Sequence, residues 1–162
     1  MLSKRASLLK PSPTLAINAK EKELKAKGID IAGFGAGEPD FNTPDHIKQA
    51  AITAINDNFT RYTPVSGIDP LKDAVIDKFK KDNNLNYKRE EIIISCGGKH
   101  SLYNLFQAIF QEGDEVIIPA PYWVSYPPMV ELTGAKPVIV ETHEDEDYQI
   151  TSDILKRFIN KN

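Results

Sequence analysis

The chain has 162 residues and a mass of 18.1 kDa, so surface scaling gives about 8,000 Å² exposed when folded against about 26,000 Å² unfolded, roughly 70% buried and enough for one core. With 41% hydrophobic and 27% charged residues and a net charge of -3, the composition argues against a disordered chain, a fibre, a membrane bundle or a nucleic-acid surface, because the two signs of charge are interspersed and no basic face stands out. The single cysteine, Cys96, rules out an internal disulfide and points to a reducing, cytoplasmic setting, and no apolar run reaches signal or membrane-spanning length.

Residues 1–13 read as an irregular arm, because Pro11 and Pro13 remove backbone donors. A helix is expected from Thr14 to Lys27, with Gly28 as its stop, followed by a short strand over Ile29, Ile31 and Phe34 that runs into the turn-rich GAGEPDF. Thr43 and Pro44 open a helix over residues 44–57, and Asp69–Pro70 opens another carrying Leu71, Ala74, Val75 and Phe79. EIIIS is β-branched and reads as a strand, and it is followed at once by CGGK and a helical pattern with Leu102, Leu105, Phe106 and Ile109. EGDEVIIPA gives a turn and a strand, YWVSYPPMVELTG an aromatic loop and short helix, KPVIVE a further strand, and Ser152 to Asn160 a last helix. The expected class is α/β, with a mostly parallel sheet covered on both faces.

In such sheets ligands bind beyond the carboxyl ends of the strands, where helix N-termini offer unpaired N–H groups. Gly97, Gly98 and Lys99 lie at such a junction, and their backbone can cradle a phosphate or simply make a tight turn, since neither GxGxxG nor a P-loop is present. Trp123, the only tryptophan, follows a strand and can stack on a flat ring or serve as a packing aromatic. GAGEPDF offers bare amides to a small anion, or a turn between domains. Tyr62, in RYTPVSG, has a phenol able to reach a phosphate oxygen, although most loop tyrosines only pack. Cys96 reads as a packing residue, because no His or Asn is arranged to activate it, and Glu144–Asp147 reads as a solvated loop rather than a metal site.

Taken in order, KPSPT, GAGEPDF, RYTPVSG, GGKHSLYNLF and PAPYWVSYP resemble the N-terminal part of fold-type I pyridoxal-phosphate aminotransferases, nearest to bacterial aspartate aminotransferases, including those that also act on prephenate. The resemblance covers essentially the whole chain and implies a three-layer α/β/α transferase fold. Residues 1–45 would then form the arm and part of a small domain, and residues 46–162 the first part of a large cofactor-binding domain. It further implies that Gly97, Gly98 and Lys99 hold the phosphate of pyridoxal 5'-phosphate and that Trp123 stacks on the pyridine ring and reaches a substrate carboxylate. Gly37 would contact the α-carboxylate, Tyr62 would reach the phosphate of the neighbouring subunit in a homodimer, and Lys10 would approach the distal carboxylate of a dicarboxylic substrate.

The resemblance also marks a departure. The family's Schiff-base lysine, its pyridinium-pairing aspartate and its carboxylate-clamping arginine belong to later parts of the family sequence, so no catalytic residue is assigned here. The chain is expected to be somewhat less than half of such an enzyme, inactive alone, with an open sheet edge and exposed apolar faces that favour aggregation. The expected reaction of the whole protein is transfer of the amino group of aspartate to 2-oxoglutarate, with prephenate as a further acceptor. The alternatives are a non-catalytic binding or dimerisation relic, half of a split enzyme, or an alanine or aromatic aminotransferase.

Overall fold

The computed structural model describes residues 2–35 and 37–160, which fall into two units: Met1–Ala36 with Lys99–Asn162, and Gly37–Gly98. Ala36 of the GAGEPDF motif lies outside the described residues.

In the first unit, α1 (Lys4–Leu8) is capped by Ser3, whose Oγ accepts from the Ala6 N–H at 3.2 Å. The arm is therefore not irregular throughout. A serine cap is enough to start one helical turn ahead of the prolines. Pro13 then occupies the first position of α2 (Pro13–Ala26), where its missing N–H costs nothing, and Gly28 leaves the helix at φ +76°. The strand expected at Ile29–Phe34 is absent from the described residues. Extended backbone becomes a strand only with a ladder partner, and this stretch has a helix beside it instead. A methyl group on Gly33 would meet the Glu21 carboxylate of α2, and one on Gly35 would stand 2.5 Å from Asn18 Oδ1.

The helix α5 (Gly98–Ile109) leads to β1 (Glu115–Ala120), then α6 (Tyr126–Glu131) and β2 (Lys136–Glu141). The two strands pair in parallel, Glu115 opposite Lys136 and Ala120 opposite Glu141, with α6 on the crossover. This bears out the α/β class and the parallel pairing. Ile118, Val130 and Ala135 form the buried centre, with Phe106 and Phe110 of α5 and Val116, Tyr126 and Ile139 packed on it. Gly134, at φ +92°, turns the chain from α6 into β2. At the strand starts Lys136 pairs with Glu115 at 2.7 Å, and Asn160, just after α7 (Ser152–Phe158), donates to the same carboxylate. Residues Glu144–Glu146 form one 3-10 turn, in keeping with a solvated loop.

The second unit holds α3 (Asp45–Asn56) and α4 (Asp69–Asn83), the latter ending at Asn84 in the left-handed region. A 3-10 turn at Arg89–Glu91 packs against α4, and Arg89 forks onto Asp73 while its remaining nitrogen reaches Asp69 at 3.1 Å. The EIIIS strand is not formed among the described residues. Ile92 is buried, Ile93 is 73% exposed and Ile94 is half-buried, so the backbone alternates as a strand does. Its recorded backbone bond outside helices and turns is Ile94 N–H to Ser66 O at 3.0 Å, a single rung rather than a ladder.

The folded surface is 13,512 Å², well above the roughly 8,000 Å² that scaling gives for this mass. Exposed apolar stripes account for part of the excess. The apolar positions Ile47, Ile52 and Ile55 of α3 and Leu105 and Ile109 of α5 are each about half exposed or more, so these amphipathic helices have little packed on their apolar stripes. No helix among the described residues is long and apolar enough to cross a membrane.

Candidate active site

The carboxyl end of β1 is closed by Thr142, which is buried and directs both its N–H and its hydroxyl onto the Ala120 carbonyl. The chain then leaves the sheet through a cis Ala120–Pro121 bond into Tyr122 and Trp123. Trp123 is 41% exposed, too open for a core aromatic. One edge is held by Tyr126 in a perpendicular contact with centroids 5.5 Å apart, and the Trp123 carbonyl accepts from the Tyr126 N–H at 3.0 Å. The Lys99 ammonium lies 4.9 Å from the centroid of the Trp123 ring. The structure thus brings together a cation from the first turn of α5 and an aromatic face at the end of β1.

Gly97 has φ +96°, a left-handed conformation that glycine adopts without a steric penalty, and a methyl group at either Gly97 or Gly98 would meet nothing within 4 Å. Gly98 opens α5, a helix of 12 residues whose positive dipole end lies at this turn. An open glycine turn at a helix N-terminus suits an anion. Within the first unit, a lysine in contact with a half-exposed indole suits a flat ring that carries negative charge. Cys96 is exposed, contrary to the packing role expected for it, because the buried alternation ends at Ile94 and the turn that follows carries its side chain out.

The remaining expected site residues lie as follows. Tyr62 is fully exposed in the stretch between α3 and α4, in the second unit, and is not a packing tyrosine. Gly37, in the same unit, has open space at its Cβ position. Lys10 is exposed, between α1 and α2 in the first unit. Residues that sequence reasoning passed over include Thr142 and Lys72. Lys72 had a readable signal: with Val75, Ile76 and Phe79 at spacings of three, four and seven, it falls on the apolar face of α4. No cluster of His, Cys, Asp and Glu able to hold a metal occurs among the described residues.

Known proteins resemble this chain over most of its length. The family model for aminotransferase class I and II matches residues 29–162. An aspartate aminotransferase of Bacillus sp. (strain YM-2) is 56% identical over 98% of the chain, and a probable aspartate/prephenate aminotransferase of Rickettsia conorii is 54% identical over 98%. Among solved structures, the aspartate aminotransferase of Thermus thermophilus with maleate superposes with a TM-score of 0.94 at 46% identity, covering 99% of the chain. The chain spans 41% and 40% of those two relatives and 42% of the Thermus chain. With a family model over most of its length and the same α/β fold as solved aspartate aminotransferases, the chain belongs to the class I and II aminotransferases.

Proposed function

We propose that this chain supplies the phosphate-holding and ring-stacking side of a pyridoxal 5'-phosphate site in an aspartate aminotransferase that also accepts prephenate. The observation that carries this reading is the contact of Lys99 with Trp123 at the carboxyl end of β1, next to the open Gly97–Gly98 turn. Backbone N–H groups of Gly98 and Lys99 would hold the phosphate, with the partial positive charge of the α5 N-terminus behind them. Trp123, steadied by Tyr126, would stack on the pyridine ring and direct its indole N–H to a substrate carboxylate. Gly37, with open space at its Cβ position, would offer its amide to the α-carboxylate, and the exposed Lys10 would add a cation for a distal carboxylate. When bound, the cofactor supplies an electron sink for the bond broken at the substrate's α-carbon.

In this reading residues 1–45 are the arm and part of a small domain, residues 46–162 begin the large domain, and the whole protein is a cytoplasmic homodimer in which Tyr62 reaches the other subunit's phosphate. The full exposure of Tyr62 supports that role, since a phenol that reached its own unit's core would be covered. The amino donor would be aspartate and the acceptor 2-oxoglutarate. None of the chain's own residues is assigned to proton transfer at the α-carbon, so the 162 residues alone should transfer no amino group.

The test joins this chain to the part of the Bacillus relative beyond its match and measures aspartate-dependent conversion of 2-oxoglutarate. Activity that falls at least about tenfold in Trp123→Ala supports the reading; an inactive but folded chimera, or one indifferent to Trp123, overturns it. A second reading, a non-catalytic association module, draws support from the exposed Ile47, Ile52 and Ile55 of α3. It predicts self-association of the chain with no binding of the cofactor.

A further inference from the structure

Lys72 is the one charged side chain buried among the described residues, at 7% exposure. An ammonium taken out of water needs acceptors for its protons. Lys72 Nζ donates to Ser66 Oγ at 2.9 Å and lies 3.6 Å from Asp69 Oδ1. Asp69 and Asp73 are in turn held by Arg89, so the start of α4 is braced from the far side.

Ser66 is bound twice. Its hydroxyl accepts from Lys72, and its carbonyl accepts from the Ile94 N–H at 3.0 Å. It therefore links α4 to the extended residues that run from Ile92 into Gly97. On its N-terminal side lies the exposed stretch carrying Tyr62, closed by the Gly67 N–H donating to Pro64 O at 3.0 Å. Gly67, at φ +103°, approaches Ile94 so closely that a methyl group there would stand 2.4 Å from Ile94 Cγ1. The junction has no slack.

We infer that Lys72 is a positioning residue: by holding the Ser66 hydroxyl it locks the Tyr62 loop onto the extended segment that leads into the Gly97 turn, so that one anchor sets both. The lock does not require Lys72 to touch a ligand, because its ammonium faces Ser66 and Asp69 within the unit. Its consequence for phosphate binding rests on the reading of Tyr62 and Gly97–Lys99 as phosphate contacts, whereas the lock itself does not.

Amide hydrogen exchange on the 162-residue chain tests it, with Lys72→Met, Ser66→Ala, Ser66→Thr and the double variant Lys72→Met/Ser66→Ala. Methionine keeps the buried stem and loses the donors, while threonine keeps the hydroxyl. Exchange at Ile94 should accelerate about tenfold or more in Lys72→Met and in Ser66→Ala, remain near its starting rate in Ser66→Thr, and be no faster in the double variant than in either single one. Amides of β1 should keep their rates and serve as the internal control. Unchanged protection at Ile94, or an acceleration equal at Ile94 and throughout β1, overturns the lock. If Lys72→Met does not fold, the comparison of Ser66→Ala with Ser66→Thr decides. Titration of pyridoxal 5'-phosphate against the unchanged chain, read by quenching of Trp123, is scored separately: no binding sinks the phosphate reading and leaves the exchange result to decide the lock.

Discussion

The ammonium of Lys99 stands 4.9 Å from the centre of the Trp123 ring, which joins the first turn of α5 to the residues that follow β1. An exposed cation over an aromatic face contributes about 0.5–1 kcal/mol, and Trp123 is partly open to water. A double-mutant cycle with Lys99→Met and Trp123→Leu should therefore return a coupling of about 0.5–1 kcal/mol in urea unfolding. The Lys99 side-chain methylene resonances should also lose a ring-current shift in Trp123→Leu. Additive single variants with no such shift would show that the two groups do not meet in solution.

Gly97 and Gly98 separate two requirements that sequence alone merges. Gly97 has a left-handed φ, so Gly97→Ala should cost about 1–2 kcal/mol of stability from backbone strain alone, the space around it being open. Gly98 has no positive φ and equally open surroundings, so Gly98→Ala should leave thermal stability within about 0.5 kcal/mol. Both should weaken pyridoxal 5'-phosphate binding if the turn meets the phosphate through bare backbone. Tight binding in Gly98→Ala would place the phosphate elsewhere.

Periodicity and punctuation made most of the fold legible. Pro13, Pro44 and Pro70 mark three helix starts to within a residue or two, and the β-branched runs at 115–120 and 136–141 became the paired strands. Ile29–Phe34 and Ile92–Ser95 show where that reasoning fails. Their residues favour extended backbone, but a strand is a relation between two segments, and neither has a ladder partner among the described residues. The Lys99–Trp123 contact joins residues far apart in the chain, so only their shared place at strand ends hinted at it. Lys72 went unread for a different reason: a lysine on an apolar stripe looks like a solvated interruption until Ser66 is seen beneath it.

Gly67 gives a sharper stability prediction than any residue of the glycine turn. Its left-handed φ costs any other residue about 1–2 kcal/mol, and a methyl group there would also collide with Ile94 Cγ1 at 2.4 Å, adding about 1–3 kcal/mol of overpacking. Gly67→Ala should thus lose roughly 2–5 kcal/mol, measured as a lowered urea midpoint. Gly67→Ala combined with Ile94→Ala should lose less than the sum of the two single variants, because the second change removes Cγ1, the nearer of the two clashing atoms, and leaves only Cβ at 2.7 Å. Strict additivity would mean that the packing of Gly67 on Ile94 is not tight.

Acid should weaken the fold by protonating the carboxylates that the second unit and the sheet hold in ion pairs. Hydrogen bonds from Arg89 hold the Asp73 carboxyl below the ordinary aspartate range, and those from Lys136 and then Asn160 do the same for Glu115. Each group binds its proton less readily folded than unfolded, so between the unfolded value near pH 4 and the lower folded one the unfolded chain carries more protons and stability rises with pH. The contribution is fully present above about pH 4 and is lost as the pH falls through the folded values. All these side chains reach solvent, so the effect should shrink as salt is raised. Urea midpoints followed from neutral pH to pH 3 should fall less steeply for Asp73→Asn than for the unchanged chain, the two curves drawing together at the acid end. Parallel curves across that range would mean that the Arg89–Asp73 pair contributes nothing to stability in solution.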